Sequence, residues 1–218
     1  MTVLKIRATQ LRAAIRPVAP LANGNAGAPT VLAMVRLWTG DGHLYASCTD
    51  MVVGGIERTR VDGVEPGFET CVDVADFGRQ IDLVAPRGAG YNPTLILEAT
   101  PGGLVVQSEP YETAHPSATF HLQALDPAKF PKVEDALGRW PTDGDPIADT
   151  ALRVDVLARF TQAGGGEPLR FRFTGPKRPV IVSGGDSFVG LVMPAALAPS
   201  PDPYVPNLWP ELFGGDES

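Results

Sequence analysis

The sequence predicts an α+β protein built from three copies of one unit: a strand, a helix and three strands. Three observations carry that prediction. Apolar residues switch repeatedly between the spacing of a helix and the alternation of a strand. The 24 glycines and 22 prolines fall mostly between those periodic segments, as turns between short strands require. The same order of segments recurs three times along the 218 residues.

The first unit opens with a strand over Val3–Ile6. A helix follows from Thr9, a residue suited to the N-cap, to about Val18. Leu11, Ala14, Ile15 and Val18 fall on one helical face, and Pro17 and Pro20 end it. Strands are expected over Thr30–Trp38, His43–Thr49 and Val52–Arg60. The first two are joined by Thr39-Gly40-Asp41-Gly42, a hairpin signal.

The second unit repeats the order. Thr70–Val72 reads as a strand, and Asp73 can cap a helix that aligns Val74, Phe77, Ile81 and Val84. Strands over Thr94–Ala99 and Leu104–Glu109 flank Pro101-Gly102-Gly103, and a third covers Ala118–Gln123. Residues 1–123 thus read as one domain of two units. Residues 124–148 carry four prolines and five acidic side chains with little periodicity, and read as a linker or irregular segment with a short helix around Val133–Leu137.

The third unit occupies 149–198, a half-domain. It begins with a strand over Ala151–Val154, and Asp155 caps a helix through about Ala163 that carries Val156, Leu157 and Phe160. Gly164-Gly165-Gly166 ends that helix. The next strand turns Leu169, Phe171 and Phe173 inward and Arg170, Arg172 and Thr174 outward. Val180–Val182 and Phe188–Met193 complete the unit, and Pro194 closes it. The tail, 199–218, contains five prolines and is expected to be extended and to order only when bound.

Composition narrows the function classes. A net charge of −7 opposes non-specific adsorption to DNA or to anionic membranes, without excluding a protein that gathers its cations on one surface. Two cysteines, Cys48 and Cys71, are too few for a disulfide framework and read as buried, reduced core residues. No apolar run approaches the roughly 18–20 residues of a membrane span. The N-terminal segment MTVLKIRATQLRAAIRP lacks the pattern of a secretory leader. A cytoplasmic protein without a membrane partner is expected.

The strand–helix–three-strand unit resembles the building block of the bacterial and phage DNA-polymerase sliding clamps. The segment from Ala28 to Arg60 is similar to that family's stretch ending in a Thr-Asp pair, here Thr49-Asp50. Phe120–Val133 resembles the stretch that runs into a Phe-Pro pair, here Phe130-Pro131, and the last strand ends in a similar Met-Pro pair, Met193-Pro194. The resemblance implies a non-catalytic processivity factor without a cofactor. Such a protein holds DNA weakly and without regard to sequence, and tethers a polymerase through a hydrophobic peptide groove. Closed rings of the family use roughly a dozen units, so closure by symmetry takes four chains of three units, or three chains if 124–148 hides a degenerate fourth. The alternative is a clamp-related interaction protein that does not encircle DNA and modulates the replisome through its tail.

The resemblance also implies sites. Val180, Leu191, Met193 and Pro194 match the groove wall that would receive peptides of a polymerase and a clamp loader. Arg12 and Arg16 on the first helix, Arg79 on the second and Arg159 on the third would face DNA, where sliding requires phosphate contacts that ignore sequence. In the tail, Leu208, Trp209, Leu212 and Phe213 form an apolar linear motif in acidic surroundings, like the peptides that such grooves bind.

Catalytic signatures are weak. Gly185-Asp186-Ser187 is followed at once by a strand, so it reads as a hairpin turn and not as a nucleophile elbow. His43, His115 and His121 are scattered, and no Cys/His cluster has the spacing of a metal site. The triple glycine is not followed by Lys-Ser or Lys-Thr, so it is no phosphate loop.

Overall fold

The structure, a computed structural model, describes residues 2–22, 30–61, 66–84, 92–109, 117–139, 152–173, 175 and 178–195. In the first unit β1 (Thr2–Arg7) leads into α1 (Ala8–Ile15), and β2 (Met34–Gly40), β3 (His43–Thr49) and β4 (Val53–Arg60) follow as a meander. The second unit has β5 (Glu69–Asp73), α2 (Val74–Val84), β6 (Thr94–Thr100), β7 (Gly103–Ser108) and β8 (Thr119–Leu125). After a short connector helix, α3 (Val133–Arg139), come α4 (Val154–Leu157), a 3₁₀ stretch over 158–166, β9 (Leu169–Phe173), β10 (Val180–Gly184) and β11 (Phe188–Val192).

All these strands pair antiparallel in one sheet, ordered β1-β6-β7-β8-β5-β2-β3-β4-β11-β10-β9. The first two units exchange their opening strands. β1 pairs with β6 of the second unit, and β5 pairs with β2 of the first. The third unit joins the first through their last strands, with Phe188 opposite Glu57 and Val192 opposite Val53.

Alternation along each strand sends every second side chain to the helical face. There Leu4, Leu11, Leu37, Leu44, Phe77, Ile81, Leu95 and Leu104 share one buried cluster with Phe160, Val180, Val182 and Phe188 of the third unit. The three units therefore enclose a single core. Cys48 is buried in it, and Cys71 lies in a smaller cluster on the opposite face with Met34 and Phe130. Both thiols are free, and burial holds both pKa values up, that of Cys71 at about 12.

The expected cap at Asp73 forms. Its carboxylate accepts the backbone N–H groups of Ala75 and Asp76 at 2.9 Å. The cap at Thr9 does not form. The helix begins at Ala8, and the side-chain oxygen of Asn92 accepts the Thr9 N–H at 3.0 Å from across the fold. Thr30–Ala33 is a 3₁₀ turn, so the second strand starts later than its β-branched opening suggests.

The strand expected at Ala151–Val154 is absent where the structure describes it: Leu152 and Arg153 are irregular and α4 starts at Val154. The physical reason lies in the pairing scheme. An opening strand in this fold pairs with the other unit of its domain, and among the described residues the third unit has no such partner.

Candidate peptide groove and helical face

A concave site of about 430 Å³ lies on the sheet face opposite α1 and α2. One wall is the end of β11, where Leu191 and Met193 point outward. The floor is Gly54, directly opposite Leu191 in the ladder, with Thr49 and Met51 from the β3–β4 turn beside it. The other wall is the connector: Pro131, Val133 and Ala136. Floor and walls all come from this one chain. Met193 and Met51 are the groove's exposed apolar side chains, both flexible thioethers. Lys132 and Asp135 stand at the rim with opposite charges.

The β3–β4 turn is held from both sides. Thr49 Oγ1 donates to the Val53 carbonyl at 2.7 Å and accepts the Met51 N–H at 3.1 Å. Met51 has a positive φ of 74°, a strained backbone for a residue with a side chain. Asp50 Oδ1 accepts the N–H groups of Val52 and Val53, both at 2.8 Å, and Oδ2 accepts Arg159. Burial alone would raise the Asp50 pKa; the Val53 amide and Arg159 outweigh it and hold the carboxyl below its ordinary value. Arg159 also donates to the carbonyls of Pro20 at 2.7 Å and Ala22 at 3.1 Å. One arginine thus ties the third unit to two loops of the first.

The connector wall is pinned by a second arginine. Arg36 is 6% exposed, donates to Glu69 at 2.8 Å and to Glu134 of α3, and lies 4.5 Å from the Trp38 ring centroid. Trp38 in turn stacks on Tyr45.

Of the residues expected in the groove, Leu191 and Met193 line it. Pro194 follows it, half-buried. Val180 does not reach it. It pairs with Val192, and that register turns both side chains into the core, where each is fully buried. Thr49, Met51, Gly54, Val133 and Ala136 are groove residues that pattern reading missed. Only the Thr49-Asp50 pair carried a signal. The motif Leu208, Trp209, Leu212 and Phe213 lies outside the described residues.

On the helical face, Arg12 bonds Asp82 at 3.0 Å and the Ile81 carbonyl at 3.3 Å, joining α1 to α2. Arg16 donates to Gln162 at 2.8 Å, and Arg79 pairs with Asp76 at 2.7 Å while both remain largely exposed. Arg12 and Arg16 flank a cleft of about 570 Å³ between the helices. Arg159 is committed to the loops just described, so its charge serves the fold. Among the described residues, no group of three His, Cys, Asp or Glu side chains could hold a metal ion, and no helix is long and apolar enough to cross a membrane.

No protein-family model matches the sequence, and no curated sequence matches it. Solved structures do match. The sliding clamp of Pseudomonas aeruginosa, DNA polymerase III subunit beta bound to griselimycin, superposes with a TM-score of 0.64 at 12% identity, over 92% of this chain and 66% of that one. The Helicobacter pylori beta clamp bound to a DNA ligase peptide gives 0.66 at 9% identity, over 92% and 68%. The chain has the sliding-clamp fold. The C. crescentus beta sliding clamp gives 0.66 at 14% identity, again over 92% of this chain and 66% of that one. The chain spans about two-thirds of the length of these clamps.

Proposed function

We propose that this protein is a non-catalytic, sliding-clamp-like tether that holds a polymerase and its accessory factors at DNA by binding their apolar peptide segments. The observation that supports the reading is the apolar cleft between β11, the Thr49–Met51 turn and α3, in a chain of clamp fold. A groove of this size accepts a few apolar side chains. A tether converts a weak contact into a high effective concentration at the template. DNA contact would fall to Arg16 and Arg79, with Arg12 contributing through the α1–α2 cleft. The test is fluorescence polarisation with a labelled peptide ending in Leu-Phe. Met193→Glu and Gly54→Val are expected to weaken binding about tenfold or more, since a buried charge or a filled floor removes the apolar pocket. Equal binding by wild type and both variants would overturn the groove.

A specific observation favours a second reading, in which the protein does not encircle DNA. The third unit joins the first through their last strands, β4 and β11, which therefore use each other. Among the described last strands that leaves β8, whose outer edge is open over Thr119–Gln123. If chains join as these two units do, last strand to last strand, one such edge per chain closes a dimer and cannot extend a ring. Light scattering decides between the two. A stable trimer or tetramer supports the ring, and a monomer or dimer supports a docking platform on the replisome.

A further inference from the structure

The first hairpin strand of each unit has an antiparallel neighbour on its outer side, except one. β2 is covered by β5 and β6 by β1, while β9 ends the sheet. The two ends of the sheet differ. At β1 the inward-facing Leu4 and Ile6 are 0% and 2% exposed. At β9, Phe171 and Phe173 pair with Val182 and Val180 and share their inward face, yet are 41% and 44% exposed. An open edge with two aromatic side chains on its core face is an unfilled strand position. The outward face of β9 carries Arg170 and Arg172. Arg172 makes no ion pair among the described residues, whereas Arg170 shares a cleft with Glu167 and Asp186.

We infer that residues 207–213 of this same chain, Asn-Leu-Trp-Pro-Glu-Leu-Phe, fill that position as a twelfth strand, antiparallel to β9. Three observations select this occupant. The first is where the chain leaves the sheet. Val192 pairs with Val180, which pairs with Phe173, so the described chain departs at the Phe173 end of β9. An antiparallel strand on β9 starts at that end. It lies three strand spacings from β11, about 14 Å, and the 12 residues between Ala195 and Leu208 let the chain span up to about 43 Å. The result is a Greek key, in which a fourth strand returns beside the first of three.

The second observation is pattern. Leu208, Pro210 and Leu212 fall on one side of an extended chain and Trp209, Glu211 and Phe213 on the other. The first set meets Phe171 and Phe173. With Glu211 opposite Arg172, the antiparallel register sets Phe213 opposite Arg170, an ion pair and a cation–π contact. Pro210 is tolerated because the new strand is itself an edge, and its missing N–H ends the sheet there.

The third is charge. Residues 196–218 contain Asp202, Glu211, Asp216 and Glu217 and no Lys, Arg or His. A second copy pairing β9 with β9 would instead bring four arginines onto one face, which like-charge repulsion opposes.

The inference stands apart from the groove and the tether. Hydrogen exchange of the β9 amides tests it, comparing the full chain with a variant lacking residues 199–218 and with the full-length double variant Leu208→Asp, Leu212→Asp. Outward amides of β9 are expected to exchange about tenfold or more faster in both variants, while those of β1 stay unchanged as a control. Arg172→Glu is expected to give the same loss and Glu211→Arg to restore protection in that background. Unchanged β9 exchange in both variants overturns the inference, as does a change confined to Met193 and the β3–β4 turn. Protection that rises with protein concentration assigns the edge to a second copy and overturns it as well.

Discussion

Asp50 offers the sharpest test of how the third unit is held. Its carboxylate accepts two backbone N–H groups of the β3–β4 turn and the Arg159 guanidinium, and both side chains are largely removed from water. Asp50→Asn keeps an oxygen for the two amides and loses the charge opposite Arg159. One charge-assisted hydrogen bond is worth about 2 kcal/mol, reduced somewhat by the partial exposure of Arg159. Asp50→Ala also leaves the Val52 and Val53 amides without an acceptor, adding roughly 1 kcal/mol for each, about 4 kcal/mol in all. For a chain of this size, about 4 kcal/mol lowers the thermal midpoint by roughly 8–16 °C. The assay is thermal denaturation from pH 7 down to pH 2. Because the folded-state pKa of Asp50 is depressed, its stabilisation is full above the ordinary carboxylate range and is lost as pH falls through the folded pKa. The wild type should therefore lose its advantage over Asp50→Ala in acid. An Asp50→Ala protein within about 1 kcal/mol of wild type at pH 7, or a difference independent of pH, would refute the reasoning.

Three further outcomes follow from the same structure. Glu57 is buried at the β4–β11 joint with Oε2 unpartnered, and burial raises its pKa against the opposing Ser187 hydroxyl and Arg58 charge. Its contribution is thus favourable below the ordinary carboxylate range and lost as pH rises through the folded pKa, so Glu57→Gln should stabilise by on the order of 1 kcal/mol at pH 7 and not at pH 4, in urea melts. Gly190→Ala would put a methyl 2.7 Å from the Gly54 carbonyl oxygen and 2.9 Å from the Phe188 ring. It should cost about 1–3 kcal/mol by the same measurement. Arg36→Met should cost about 1–3 kcal/mol, less than a fully buried pair because Glu69 and Glu134 are partly exposed, and should speed amide exchange in α3.

Much of this was legible in the sequence, for local reasons. Phe77 and Ile81 lie on one helical face, and that face is buried. The Asp73 cap acts within three residues of itself. Leu191 and Met193 came from the likeness of the last strand and its Met-Pro pair to the clamp stretch, and both line the cleft. What failed was long-range. Thr9 looked like a cap, but Asn92, 83 residues away, supplies the acceptor. Ala151–Val154 has strand composition, and among the described residues there is no strand for it to pair with. Val180 follows a register set by Val192 and not by its own neighbours. The connector wall was invisible because Val133 and Ala136 matter only once Arg36 holds α3 to the sheet. Arg159 read as a surface cation because nothing near it in sequence shows that Asp50, Pro20 and Ala22 converge on it.

The seam between β4 and β11 has one more consequence. Gly55 stands opposite Gly190 and Gly54 opposite Leu191, so the two last strands meet across bare backbone over which the Phe188 ring lies flat enough to exclude any added methyl. A junction of this kind demands a residue without a side chain on both strands, so it dictates which positions of the two units can face one another. The alignment of the third unit on the first is thus written into two small residues, and a slip by one position would drive a side chain into Phe188 or the facing backbone.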